Sequence, residues 1–289
     1  MSVPPLLRGL FDDAAVFPPG DLPLAEALPA HRAHRAARYA EAVGPFLCGA
    51  GRLAELGRLL DGADEPLPVG AVLPGGGTDP AAGLAAVIEA TGQTAGPVRL
   101  AVVELVAADV RATVAALDGQ LPRGVQAYVE LPRDSRVEDA LDALAGTPYR
   151  AKFRTGGLTA EAFPGVYELA GSLMACAERA IPYKCTAGLH HAVRHTDPAT
   201  GFEHHGFLNV LLAALAARAG DRTGTTDALR ERSGSVLAGA ATALTGHQVD
   251  MIRHSFTSFG TCSIAEPLDD LAGLGLLPAA PPTPILEDR

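Results

Sequence analysis

Short apolar runs alternate along this chain with longer alanine-rich stretches whose apolar positions recur at helical spacing. The runs predict strands at Ala14–Phe17, Pro45–Cys48, Pro68–Leu73, Val98–Leu105, Val125–Leu131, Tyr149–Arg154, Pro182–Thr186 and Ser255–Phe259. The stretches between predict helices at Leu24–Ala42, Arg52–Leu60, Pro80–Thr91, Ala107–Leu117, Ser135–Ala145, Thr159–Ala180, Gly206–Ala219 and Asp227–Leu244, with a closing helix from Ser263 to Leu274. Some starts have a local cause. Thr78-Asp79-Pro80 supplies a cap and then a first-turn proline, and Ser263 with Glu266 has capping-box spacing. Glu161, just behind Thr159, puts negative charge where the helix dipole favours it.

Eight strands alternating with helices predict an α/β protein, a single (β/α)8 TIM barrel with its reactive groups at the carboxyl ends of the strands. Most strand-to-strand spacings match one βα unit, but the gap from Thr186 to Ser255 is roughly twice that length. The seventh βα loop is therefore expected to be enlarged, with the polar stretch His190–His205 as a candidate lid. The apolar stripe Phe207, Val210, Leu211, Ala214 and Leu215 reads as helix-to-barrel packing. One barrel domain is expected over residues 1–277, followed by a loose proline-rich tail over 278–289.

Composition narrows the function. Nearly half of the 289 residues are hydrophobic and the net charge is −10, with basic residues scattered rather than striped. That argues against a nucleic-acid partner and makes the acidic surface a matter of solubility. No apolar run reaches bilayer length, and the start MSVPPLLRGLFDD is unlike a signal peptide, so no membrane partner is expected. Cys48, Cys176, Cys185 and Cys262 are widely separated, the pattern of reduced thiols in a cytoplasmic protein. Cys185 and Cys262 fall beside the expected site, which leaves a minor chemical role open. The sequence is compatible with a homo-oligomer and does not fix the oligomeric state.

The sixth strand reads Lys152-Phe153-Arg154-Thr155-Gly156-Gly157 and the seventh Lys184-Cys185-Thr186-Ala187-Gly188. Alternate strand residues share a face, so Lys152 joins Arg154 and Lys184 joins Thr186. These are the only two lysines in the chain; every other permanently basic side chain is arginine, which stays protonated and cannot act as an amine nucleophile. Two lysines in one barrel interior are costly unless paired or deprotonated. Either they serve chemistry, or they pair with Glu104 and Glu130 at the fourth and fifth strand ends as a structural ion network.

These strand ends resemble deoxyribose-phosphate aldolase and related class I aldolases. KFRTGG resembles that family's lysine-thr-ser-thr-gly segment, YKCTAG its second lysine strand, and Phe259-Gly260-Thr261-Cys262-Ser263 its phe-gly-ala-ser-ser turn, which helps hold substrate phosphate. Weaker echoes are Asp12-Asp13 through Pro18, and Val69-Gly70-Ala71-Val72 with Gly75. The resemblance implies that Lys152 forms a Schiff base and that Lys184 is the cation depressing its pKa. The chain departs from the family at Phe153 and Arg154, and at Ala187-Gly188 followed by Leu189-His190-His191. The family's fourth-strand aspartate has no clear counterpart, Glu104 being a nearby acidic candidate.

The leading expectation is a lysine-dependent aldolase-like lyase for a small anionic carbonyl substrate, without cofactor or metal. Lys152, Lys184, Glu104, Glu130 and His190 would be catalytic. Arg154, Thr155, Gly156, Gly157, Thr186, Gly188, His191, Gly260, Thr261 and Ser263 would bind substrate, through glycine turns and a helix N-terminus suited to an anion. Gly75-Gly76-Gly77 reads as a loop. One alternative is a metal-assisted hydrolase, isomerase or decarboxylase using His190, His191, His195, His204 and His205, which lie in one stretch without HxH or HExxH spacing. The other is a non-catalytic ligand-binding barrel, whose mark would be interior lysines neutralised by carboxylates.

Overall fold

A computed structural model describes residues 2–60, 65–75, 79–93 and 98–278. Eight strands, β1 (Phe11–Asp13), β2 (Val43–Gly49), β3 (Leu67–Leu73), β4 (Val98–Val106), β5 (Gln126–Glu130), β6 (Arg150–Arg154), β7 (Tyr183–Thr186) and β10 (Phe256–Thr261), pair in parallel. They close into a barrel in the order β1-β10-β7-β6-β5-β4-β3-β2. Helices α1 (Leu24–Ala36), α2 (Leu53–Leu59), α3 (Pro80–Gln93), α4 (Val110–Gln120), α5 (Val137–Leu144) and α6 (Val166–Glu178) fall between successive strands as far as β7. Between β7 and β10 lie an antiparallel hairpin of β8 (His195–Thr196) and β9 (Glu203–His204), then α7 (Phe207–Arg218), α8 (Arg222–Arg230), α9 (Gly234–Thr242) and α10 (Gly246–Ser255). Helix α11 (Ala265–Gly273) follows β10. The barrel expected from the alternation of runs is present, and no described helix is long and apolar enough to cross a membrane.

Boundaries moved where tertiary partners overrode local pattern. The first strand is Phe11–Asp13, not the apolar run Ala14–Phe17, because both aspartates find buried partners: Lys184 for Asp12 and His31 of α1 for Asp13, at 2.8 Å. Helix α1 stops at Ala36, with only a single 3-10 turn at Ala40–Ala42. The segment expected as one helix over Asp227–Leu244 is broken at Ser233, whose side chain caps α9 by accepting from the Val236 amide. Helix α10 escaped the pattern reading although Thr245 and Gln248 form a full capping box at its start. At α11 the hydroxyl of Ser263 accepts from the Glu266 amide at 3.3 Å, as the spacing required. Asp79 accepts from the Ala81 amide at the start of α3; Thr78, Gly76, Gly77 and residues 279–289 lie outside the described residues.

Strand alternation sorts the barrel into two chemistries. Outward residues are mostly apolar, Asp13 with its partner His31 being the exception: Phe11 and Phe259 pack edge-to-face at 5.4 Å and both meet Phe207 of α7. Phe207, Val210, Leu211 and Ala214 are buried, the expected helix-to-barrel packing. Inward residues on β4 to β7 are largely polar: Glu104, Tyr128, Glu130, Arg150, Lys152, Arg154 and Lys184 occupy alternate positions. On the other side Leu47 of β2 fills the interior between Gly70 and Gly260.

The turns after β6 and β7 touch backbone to backbone. A Cβ on Gly188 would lie 2.7 Å from the Thr155 carbonyl oxygen and 2.9 Å from the Gly156 Cα, and its φ is +74°. A side chain there meets immovable backbone and a left-handed conformation together. Gly146 has a similar φ of +75° with nothing within 4 Å. In urea denaturation Gly188→Ala is expected to cost about 2–3 kcal/mol and Gly146→Ala only about 1 kcal/mol. Equal losses would show that backbone conformation alone, and not the contact between the turns, demands glycine.

Candidate functional site

The inward charges form one alternating chain. Asp12 accepts from Lys184; Lys184 also donates to Glu104 Oε1 at 2.6 Å; Glu104 Oε2 lies 2.7 Å from Lys152; Lys152 lies 3.0 Å from Glu130 Oε2; and Glu130 Oε1 accepts from Arg154 at 2.9 Å. Only the closed barrel permits this, since β4 and β7 are separated by β5 and β6 in the sheet. Three carboxylates meet three cations, so the row carries no net charge. A buried charge is tolerable when paired in this way and ruinous when alone.

Grip on the two lysines is unequal. Lys184 is wholly buried, hydrogen-bonds two carboxylates, and has its Nζ 5.2 Å from the centre of the Tyr128 ring. Burial opposes its charge, but Asp12 and Glu104 outweigh burial and raise its pKa above the ordinary lysine value. Lys152 lies 2.7 Å from Glu104 and 3.0 Å from Glu130, and it shares the second of these carboxylates with Arg154. Burial pushes Glu104 up, yet Lys152 and Lys184 prevail and hold its carboxyl down at about 2. Glu130 is likewise pushed up by burial and pulled below its ordinary value by Lys152 and Arg154. Asp12 is raised by burial, against the pull of Lys184 and of the Ser258 hydroxyl at 2.7 Å.

Glu104 thus stands between the lysines, which meet through a shared carboxylate rather than as bare like charges. Asp12 and Ser258 belong to the constellation but were absent from the residues expected there. The signal was the Asp12-Asp13 pair directly after Phe11, obscured because the apolar run beyond it looked more like a strand.

Arg154 opens the chain to solvent, its side chain 43% exposed at the carboxyl end of β6. Around it the expected binding residues have mixed surroundings. Thr155 is buried and gives its hydroxyl to backbone carbonyls of Thr186 and Ala187, joining the two turns. Gly156 and Gly188 make the close approach between those turns, and a Cβ on Gly157 would press on Ala162 at 2.7 Å. Thr186 is half-buried, with its hydroxyl oxygen 3.6 Å from where a Cβ on Gly260 would stand. Thr261 donates to the Ser263 carbonyl at 2.9 Å. Cys185 faces outward and is buried, while the Cys262 thiol lies 3.7 Å from His190.

The histidine stretch folds over helix α11 rather than into the charge chain. His190 pairs with Glu266 at 2.9 Å and His191 with Asp270 at 3.2 Å. The rings of His191, His195 and His204 follow one another, the first pair edge-to-face at 4.7 Å and the second tilted at 5.0 Å. Among the described residues no three His, Cys, Asp or Glu side chains converge in a metal-ligating group. His205 is fully buried: its Nε2 donates to the Pro164 carbonyl at 2.8 Å and its Nδ1 accepts from Arg194 at 3.3 Å. Beside it Asn209 accepts from the Arg194 amide and donates to carbonyls of Ala228 and Glu231, tying the stretch to α7 and α8.

No protein-family model matches the chain, and no curated protein matches it. The class is set by the fold and its interior: a (β/α)8 barrel with a neutral row of charges, five buried and Arg154 exposed, leading to the carboxyl end of its strands.

Burial lowers the His205 pKa from 6.5 to about 4. A depressed folded-state pKa gives stability that is complete above the unfolded value and lost as pH falls toward the folded one. Stability is therefore expected to fall between pH 6.5 and 4 by roughly 3 kcal/mol from this group, at about 1.4 kcal/mol per pKa unit. Urea midpoints of His205→Gln should be flatter across that window. A slope matching wild type would mean His205 does not set it.

Proposed function

We propose that this barrel is a lysine-dependent carbon–carbon lyase of the class I aldolase type, acting on a small anionic carbonyl compound. The reading is carried by one observation: the chain's two lysines converge on Glu104, Lys184 hydrogen-bonded to two carboxylates and Lys152 ion-paired at 3.0 Å with a Glu130 carboxylate that it shares with Arg154. A locked ammonium cannot be the nucleophile. Resemblance to deoxyribose-phosphate aldolase in the KFRTGG and YKCTAG segments supports the same division of roles, with Glu104 standing for that family's fourth-strand acid.

The chemistry begins with a change of partners. A substrate anion takes Arg154, leaving Glu130 with one cation fewer and a higher pKa. Oε2 of Glu130 then accepts a proton from Lys152. The freed amine adds its lone pair to the substrate carbonyl carbon, and loss of water gives a protonated imine. The bond beyond the adjacent carbon breaks, its electron pair moving toward the imine to form an enamine, while the hydroxyl proton of the departing aldehyde passes to a carboxylate. Protonation of the enamine carbon and hydrolysis restore Lys152. Glu104, held by both lysines, keeps the amine oriented throughout.

A specific observation favours a second reading. Lys152 is only 2% exposed and the charges of the row cancel, as in a non-catalytic ligand-binding barrel. Borohydride reduction in the presence of a panel of aldehydes and 2-oxo acids separates the two. An imine enzyme is expected to trap an adduct on Lys152, located by peptide mass spectrometry, and Lys152→Arg with native circular dichroism to lose it. Label on Lys184, or an unmodified Lys152 across the whole panel, would overturn the proposed mechanism.

A further inference from the structure

The barrel has a second opening, at the amino-terminal ends of its strands. A cavity of ≈440 Å³ enters there between β5, β6 and β10 and reaches inward to Asp12 and Ser258. Reactive groups of such barrels sit at the opposite end, so this opening lies away from Arg154 and meets the charge row only at Asp12 and its partner Ser258. Its volume is within the range of small-molecule pockets.

Two arginines line it, and neither has a carboxylate partner among the described residues. Arg150, at the first position of β6, donates only through Nη1, to Gln126 at 2.8 Å and to the Tyr128 hydroxyl at 2.9 Å. Its Nε and Nη2, the side-on fork that matches a carboxylate or phosphate edge, have no acceptor among the described residues. The hydroxyls beneath are already committed in one direction. Tyr128 donates to Thr257 at 2.8 Å, and Thr257 donates to the Tyr183 carbonyl at 3.0 Å, so they position Arg150 and cannot quench it.

Arg253, near the end of α10, gives its donors to the carbonyls of Phe256, Arg8 and Thr257. Its charge therefore faces backbone dipoles only, and burial lowers its pKa to about 10, Asp12 and Tyr128 acting the other way. Of the carboxylates at the cavity, Asp12 is neutralised by Lys184, and Asp250 stands exposed at the rim, where water screens it. A half-buried guanidinium without counter-charge and a second with a free fork leave the cavity short of one anion.

We propose that this amino-terminal cavity binds a compact oxyanion, a carboxylate or phosphate group on a small molecule, with Arg150 as the bidentate donor and Arg253 as the fixed charge. The inference is independent of the lyase reading. Asp12 connects the two regions, since it touches the cavity on one side and anchors Lys184 on the other.

Calorimetric titration of the full chain with inorganic phosphate and with malonate, at low ionic strength, tests it. Saturable one-to-one binding of at least one anion is expected, at least tenfold weaker in Arg150→Gln and unchanged in Arg111→Gln, a distant exposed arginine on α4. Tighter phosphate than malonate assigns a phosphate ester, and the reverse assigns a carboxylate. His254→Glu, which adds a negative charge at the exposed rim, should weaken binding without disturbing the strand and decides the matter if Arg150→Gln does not fold. No saturable binding, or binding lost in Arg154→Gln but kept in Arg150→Gln and His254→Glu, overturns the proposal.

Discussion

The interior of this barrel depends on keeping five buried charged side chains neutral, with the exposed Arg154 completing the balance. A lone ammonium or carboxylate at the position of Lys184 or Glu104 would face a desolvation penalty of several kcal/mol. The alternating row from Asp12 to Arg154 offsets that penalty pair by pair, and each member depends on strands distant in sequence. Removing one member strands its neighbours, which makes the row a constraint on barrel closure as much as a reservoir of chemistry.

The row also divides the barrel into two ends with different character. Toward the carboxyl end it finishes in Arg154, half in solvent, beside turns that touch through Gly156 and Gly188. Toward the amino end it finishes in Asp12, under a cavity whose two arginines have no carboxylate partner among the described residues. A charge that changes at one end alters the balance felt at the other, because the five charges behind Arg154 are buried and in contact one with the next. The opposite side of the interior, with Leu47 against Gly70 and Gly260, is apolar and carries no such coupling.

Packing around the barrel explains how so polar an interior is supported. Aromatic contacts among Phe11, Phe207 and Phe259 cover the outer faces of β1, which carries Asp12, and of β10, which lies between β1 and the strand of Lys184. The stretch from His190 to His205 is held by buried, fully bonded groups, His205 and Asn209, rather than by the charge row. Its ion pairs with Glu266 and Asp270 attach it to α11, which follows the strand carrying Ser258.

By itself the sequence determined the barrel and the identity of its inner face. Apolar runs alternating with helical stretches required βα units, and alternation in RAKFR put Lys152 and Arg154 on one side, because side chains on a strand repeat every two residues. Only tertiary structure decided that Asp12 belongs to the site. Its strand reads as polar until Lys184 and His31 arrive from positions far along the chain. Tertiary structure alone also placed Glu104 between the lysines and left Arg150 with a free fork. Periodicity states which face a residue shares, but which charge it meets across a barrel depends on strand order and register, and those are fixed only on closure.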